Sequence, residues 1–452
     1  MTSRGVVAGV VVALLAGACT VTVDGLDSAA DTGMLGVEAG SDVDAVTSVV
    51  VADVEAYWTR VLPEVWGRDF VPVAAIAPYD SVTGPVESLP ECGGERVPRE
   101  ESANAFYCGA TDTIYWDREV LFADLLDVIG DLAVATVVAH EYAHAIQLRT
   151  GAYDDVGDDA DEAIVLELQA DCYAGAWLGD LAGRRDARDD GELDEAAAGL
   201  LAVRDPVGTG AAAESAHGNA FDRLSALTEG FEDGAAACAT YPAVLPLVTA
   251  RTFARSELAT GGNLPFSDLA PLLTAGLDEA WAAFTGEGGT VAGDGRLRPE
   301  SPPVIEIVDG RLAARSCDDA DLAPGDLRGL AVACPADGLV LVDDEDLVGA
   351  LMALGDFAAT YPIVHAWGQF FFPGDPDPVA VGDCVAGAWS RAVFDGDLPL
   401  TLSPGDLDEA VASFSVYAPP EPASTVRVLD STFARFGDLR RGFVSGVAAC
   451  GS

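Results

Sequence analysis

The sequence predicts a mixed α+β chain in which one small fold is laid down twice. Three observations carry this. Runs with helical spacing of apolar residues alternate with short β-rich runs such as Thr113-Ile-Tyr-Trp-Asp117. One predicted helix carries His140-Glu141-Tyr142-Ala143-His144. The heptapeptide Asp171-Cys-Tyr-Ala-Gly-Ala-Trp177 returns as Asp383-Cys-Val-Ala-Gly-Ala-Trp389, with a single difference.

A length of 452 residues favours more than one domain, and a hydrophobic share of 50% is enough for sizeable cores. The charge is lopsided: 24 basic residues, all Arg, against 74 acidic ones give a net −50. Such a surface repels nucleic acid and anionic membranes. It needs no partner beyond solvent, although it also suits a high-salt habitat.

Residues 1–19 read as an export signal. Arg4 supplies a basic start, Val6 to Leu15 an apolar stretch too short to span a bilayer, and Leu15-Ala-Gly-Ala-Cys19 a bacterial lipobox. Lipidated Cys19 would be the only membrane contact and would place the protein outside the cytoplasm, on the outer face of the cell membrane. Residues 20–42, rich in Gly, Asp, Ser and Thr, read as a flexible tether. Eight further cysteines form an even set, which outside the cytoplasm suggests disulfides.

Val46 to Trp66 has helical spacing, with Trp58 on the buried face. Val71 to Ile76 reads as a strand. Residues 113–117 are the candidate for a strand that pairs with substrate main chain. After Gly130 the spacing predicts a helix from Asp131 to Arg149, ended by Gly151. His140 and His144, four apart, lie on one face and can aim two imidazoles at one point. Glu141, one step round, can reach a water held there. Two nitrogen ligands beside a carboxylate base is a zinc-peptidase arrangement, and the chain has only 4 His from which to assemble it.

A second helix starts near Asp161 and carries Glu167 and Asp171 on one face. Glu167 suits a third zinc ligand. Asp171 suits the outer role of accepting a ligand imidazole's N–H. The acidic stretch Asp186 to Glu195 fails as a calcium loop, with Arg188 and Ala197 at ligand positions, and a helix start at Asp190 accounts for it better.

His140-Glu-Tyr-Ala-His-Ala-Ile-Gln147 followed by Glu167-Leu-Gln-Ala-Asp-Cys-Tyr-Ala-Gly-Ala-Trp177 resembles the neutral zinc metallopeptidases of bacteria, glutamate-ligand zincins related to thermolysin. The resemblance runs from about Asp53 to Tyr241 and includes Asn104-Ala-Phe-Tyr-Cys108, Asp190-Gly-Glu-Leu-Asp-Glu195 and Ser215-Ala-His-Gly218. It implies a zincin-like domain over 43–241, with a small sheet packed on the active helix. It implies Zn2+ on His140, His144 and Glu167, Glu141 as general base, and a peptide or protein substrate. By analogy with thermolysin, His217 would donate to the oxyanion. Two departures stand out. Ala143 replaces the family's usual Gly, and Asn219-Ala-Phe-Asp-Arg223 replaces a Ser/Gln/Arg pattern.

The remaining chain reads as a degenerate, non-catalytic copy over 264–452, joined by a linker over 242–263. Leu193-Asp-Glu-Ala196 returns as Leu407-Asp-Glu-Ala410, Gly230-Phe231 as Gly442-Phe443, and Trp58 as Trp281. In that alignment His365 matches His140, but Ala366 replaces Glu141, Gln369 replaces His144, Val379 replaces Glu167 and Leu429 replaces His217. The copies suggest the pairings Cys92–Cys108, Cys172–Cys238, Cys317–Cys334 and Cys384–Cys450. The expected function is zinc-dependent peptide hydrolysis by an exported, lipid-anchored protein. The alternatives are hydrolysis of a non-peptide amide and a non-catalytic binding protein with a structural metal; intact Glu141 argues against the last.

Overall fold

The computed structural model describes residues 34–451 except 39, 156–159, 185–189, 214–215, 242, 286–300, 313 and 427–429. The export signal, Cys19 and Leu429 lie outside the described residues. Among the described residues, no helix is long and apolar enough to cross a membrane.

Helix α1 (Asp42–Trp66) starts at Ser41, whose hydroxyl accepts the Asp44 N–H, and ends at Gly67 in the left-handed region. Two contacts hold the described residues just before it. Leu35 N–H donates to the Ile76 carbonyl, and Arg118 bonds both the Gly36 carbonyl and Asp44.

Strands β1 (Ala75–Tyr79), β2 (Ala105–Cys108) and β3 (Thr113–Asp117) form a sheet in the order β1-β3-β2. The β1–β3 pair is parallel from Ala75↔Thr113, and β3–β2 is antiparallel from Trp116↔Ala105. The first strand begins later than Val71, because Arg149 takes the Val71 and Pro72 carbonyls and so removes that stretch from the ladder.

The main helices that follow in this half are α2 (Leu121–Val128), α3 (Asp131–Thr150), α4 (Ala160–Arg184), α5 (Asp190–Ala202) and α6 (Ala220–Asp233). Every residue of α3 from Leu132 to Gln147 is buried, as befits a helix enclosed by α1, α4, α5 and the sheet. Helices α4 and α6 cross so closely that a Cβ on Gly175 would fall 2.0 Å from the Leu227 carbonyl oxygen, and one on Gly230 1.7 Å from that of Cys172.

The second half repeats this order. It runs α7 (Phe266–Thr285), β4 (Val304–Val308), β5 (Ala331–Cys334), β6 (Leu339–Asp343), α8 (Asp356–Gly368), α9 (Pro378–Asp395), α10 (Asp406–Ser413) and α11 (Thr432–Ser445). The sheet order β4-β6-β5 has the same parallel and antiparallel pairings. Helices α9 and α11 cross as α4 and α6 do, with Gly387 against the Leu439 carbonyl and Gly442 against that of Cys384.

Cys92–Cys108, Cys172–Cys238, Cys317–Cys334 and Cys384–Cys450 are disulfides with Cα separations of 5.8, 5.6, 5.0 and 5.4 Å. Four disulfides suggest a compartment outside the reducing cytoplasm.

The two halves share one hydrophobic core. Phe221 of α6 packs on Phe436 and Phe443 of α11, and Phe231 packs on Phe433. Residues 243–263 are held to both sides: Asp222 accepts the Thr249 and Ala250 N–H groups, Arg251 donates to the Leu402 carbonyl, and Asn263 accepts the Asp356 N–H.

Candidate metal centre

Helix α3 is buried all round, so its polar residues need partners. It presents His140 and His144 on the face that meets α4. Their Nε2 atoms lie 3.4 Å from Glu167 Oε2 and 3.6 Å from Glu167 Oε1. The three side chains can offer one ligand atom each, all within 4.8 Å of one another.

Each imidazole is fixed from behind. His144 Nδ1 is 2.8 Å from Gln147 Oε1, and the Gln147 amide nitrogen donates to the Leu166 carbonyl and Gln169. Gln147 therefore offers an oxygen, His144 Nδ1 carries a hydrogen, and Nε2 is the atom turned toward Glu167. His140 Nδ1 lies 2.6 Å from Asp171 Oδ1. Asp171 is wholly buried and also accepts two bonds from Arg223, of 2.9 and 2.8 Å. Burial opposes a charge on His140, but the Asp171 and Glu167 carboxylates outweigh it and lift its pKa to about 10. An incoming cation must therefore displace a proton.

The residues fit zinc. Two ligand atoms of one tetrahedral zinc stand about 3.3 Å apart, close to the separations here. Glu167 Oε2 is a buried acceptor faced by the His140 imidazole at 3.4 Å, where a cation would meet it. Two histidines and one glutamate leave the fourth position open for water.

A cleft of about 300 Å³ opens beside the cluster, lined by Asn104, Ala105, His140, Glu141, Asp205, His217 and Arg223. Glu141 is 7% exposed, on the cleft side of α3. His217 is half-exposed, and Asp205 holds it twice. The backbone N–H donates to Oδ2 at 2.8 Å, and Nδ1 lies 3.3 Å from Oδ1. That contact raises the imidazole's pKa, favouring a protonated ring over the cleft. Asp205, Arg223 and Gln147 were not among the residues singled out from sequence. Only Gln147, three positions from His144 on the same face, gave a local signal.

Of the two readings of residues 113–117, substrate-pairing strand and plain core strand, the structure gives the second. Residues 113–117 form the middle strand, with both edges already paired, and have no main-chain groups free for a substrate. The strand beside the cleft is β2, whose outer edge is unpaired in this sheet.

In the second half, a buried histidine is held in a comparable way. His365 Nδ1 is 2.7 Å from Asp383 Oδ1, and Arg435 reaches Asp383 at 3.2 Å. Tyr361 also donates to Asp383. Where His144 stands in the first half, the Gln369 amide lies 3.1 Å from His365 Nε2. Burial, then the Arg435 charge, holds His365 well below the ordinary histidine pKa, so the ring is neutral and accepts from that amide. Another cluster, Asp356, Asp406 and Glu409, could also hold a cation, but Asp356 and Glu409 accept backbone N–H groups of Leu264 and Phe357.

Two histidines and a glutamate around one point, with the Glu141 carboxylate on the cleft side, are a donor set that suits zinc. The chain belongs to the family described as putative neutral zinc metallopeptidase, which matches residues 5–241. Among curated proteins, the uncharacterized protein YpfJ of Escherichia coli K12 is 32% identical over 154 residues, covering 30% of this chain and 53% of YpfJ. The uncharacterized protein Rv2575 of Mycobacterium tuberculosis is 37% identical over 87 residues, 18% of this chain and 30% of its own length. The chain thus spans about half or less of the curated relatives it matches. No solved structure matches it significantly.

Proposed function

We propose that the first half, residues 43–241, is a zinc-dependent peptidase and that residues 264–452 are a duplicated, non-catalytic copy joined through residues 242–263. The observation that carries the reading is Glu167, half-buried and facing both imidazole Nε2 atoms. His140, His144 and Glu167 would hold the metal, which when bound supplies a Lewis acid and a water acidified toward neutral pH.

The chain's own groups do the rest. The edge of β2 binds the extended substrate by main-chain pairing. Glu141 accepts the proton of the attacking water and passes it to the leaving amine nitrogen. His217, whose pKa the Asp205 contact raises, donates to the oxygen of the tetrahedral intermediate. Asp171 and Gln147 fix the tautomers of the two ligand rings. The even set of paired cysteines and the lipobox at Cys19 support an exported, membrane-anchored protein.

The experiment is metal content together with chelator-sensitive cleavage of unfolded casein by the purified chain. One zinc per chain and cleavage abolished by chelation are expected. Glu141→Gln should keep the zinc and lose hydrolysis. Normal turnover by that variant would end the mechanism, and zinc without any cleavage would favour a structural metal in a binding protein.

A further inference from the structure

We infer that Asp408, a residue of the second half, is a positioning residue for the cleft in the first. The inference gives the non-catalytic half a role in the peptidase reading, and its consequence for turnover rests on that reading.

Helix α6 begins three residues after His217, and its first N–H groups have no partner within the helix. Asn219 takes the Asp222 N–H at 2.8 Å. The two N–H groups before it go to Asp408 of α10: Ala220 donates to Oδ2 and Phe221 to Oδ1, each at 3.1 Å. Asp408 is buried, 188 residues away in sequence, and belongs to the Leu407-Asp408-Glu409 repeat of Leu193-Asp194-Glu195. A carboxylate over a helix N-terminus fixes where that terminus sits.

What Asp408 fixes bears on the cleft in two ways. Upstream lies the turn His217-Gly218, clamped on Asp205 by both backbone N–H groups. Downstream, one turn into α6, lies Arg223, whose guanidinium holds Asp171 behind His140. A shift of α6 along its axis therefore moves His217 over the cleft and loosens the support of His140.

The cap is reciprocal, and this supplies a control. Asp194 of the first half accepts the Phe433 N–H of α11 at 2.8 Å, and Phe433 corresponds to Phe221 in the repeat. Asp194 caps α11 through one N–H as Asp408 caps α6 through two, but α11 does not line the cleft beside His140 and Glu141.

The test compares Asp408→Ala, Asp408→Asn and Asp194→Ala in the full chain loaded with zinc. For Asp408→Ala, kcat on a casein-derived peptide should fall about tenfold with KM within about twofold, since misplacement of a donor far from its anchor acts on the transition state. Zinc content should remain one per chain. Asp408→Asn, which keeps an acceptor, should recover most of the rate. Asp194→Ala should keep the wild-type kcat. Peptides covering 217–223 should lose amide-exchange protection in Asp408→Ala and keep it in Asp194→Ala. Equal loss of kcat in both alanine variants, or unchanged protection at 217–223 in Asp408→Ala, would overturn the inference. If the wild type cleaves nothing, the peptidase reading fails, and the exchange comparison still decides whether Asp408 sets this turn.

Discussion

Asp171 is the residue on which the centre turns. It is wholly buried and receives His140 on one oxygen and a two-pronged guanidinium across both. Removing Arg223 would leave that carboxylate facing a single imidazole in a dry interior. Arg223→Met is expected to cost about 3–5 kcal/mol of stability by denaturant titration, the penalty for breaking a buried pair. It should also weaken zinc binding by roughly 10–100-fold, as loss of an outer partner does. The ligands were legible in sequence because i, i+4 spacing is a local signal and an unpaired carboxylate in an apolar helix is anomalous. Asp205 was not, because it meets His217 across a turn 12 residues away with no periodicity to mark it. Arg223 sits in the stretch that departs from the family pattern, so its part emerged only from the geometry.

At the scale of elements, the sequence similarity between the halves falls on packing positions. Asp171-Cys-Tyr-Ala-Gly-Ala-Trp177 and Gly230-Phe231 are the two faces of the α4–α6 crossing, pinned by Cys172–Cys238. The second half keeps both faces and the pin. Gly230→Ala is expected to destabilise by about 1–3 kcal/mol or more, because backbone and not a side chain occupies the space; a thermal melt would read it. The ligand positions are free to drift once they hold no metal. Restoring them is a sharper trial. Gln369→His together with Val379→Glu rebuilds the set around His365, and metal stoichiometry should rise from one to two per chain. The sheet shows where sequence falls short. Residues 113–117 read correctly as a strand, but which strand has an open edge is set by long-range pairing.

At the scale of the whole molecule, acidity reaches the interior. Burial pushes Asp222 and Glu409 up to about 7. In the unfolded chain such groups lose their protons near pH 4. Between about pH 4 and 7 the folded state therefore binds more protons than the unfolded one. Stability should be greatest at the acid end of that window and fall as pH rises, by about 1.4 kcal/mol per pH unit for each such group. The net charge of −50 acts in the same direction, since protonation relieves self-repulsion. A melting temperature higher at pH 5 than at pH 8, with added salt narrowing the gap, is the expected outcome.

The glutamine amide that answers His365 has a consequence for supply. In the proposed reading, one imidazole cluster takes an ion from the surroundings, while around His365 the chain's own amide fills the corresponding place. Starved of zinc, the chain would keep one side fully furnished as a scaffold on which the other waits for its ion.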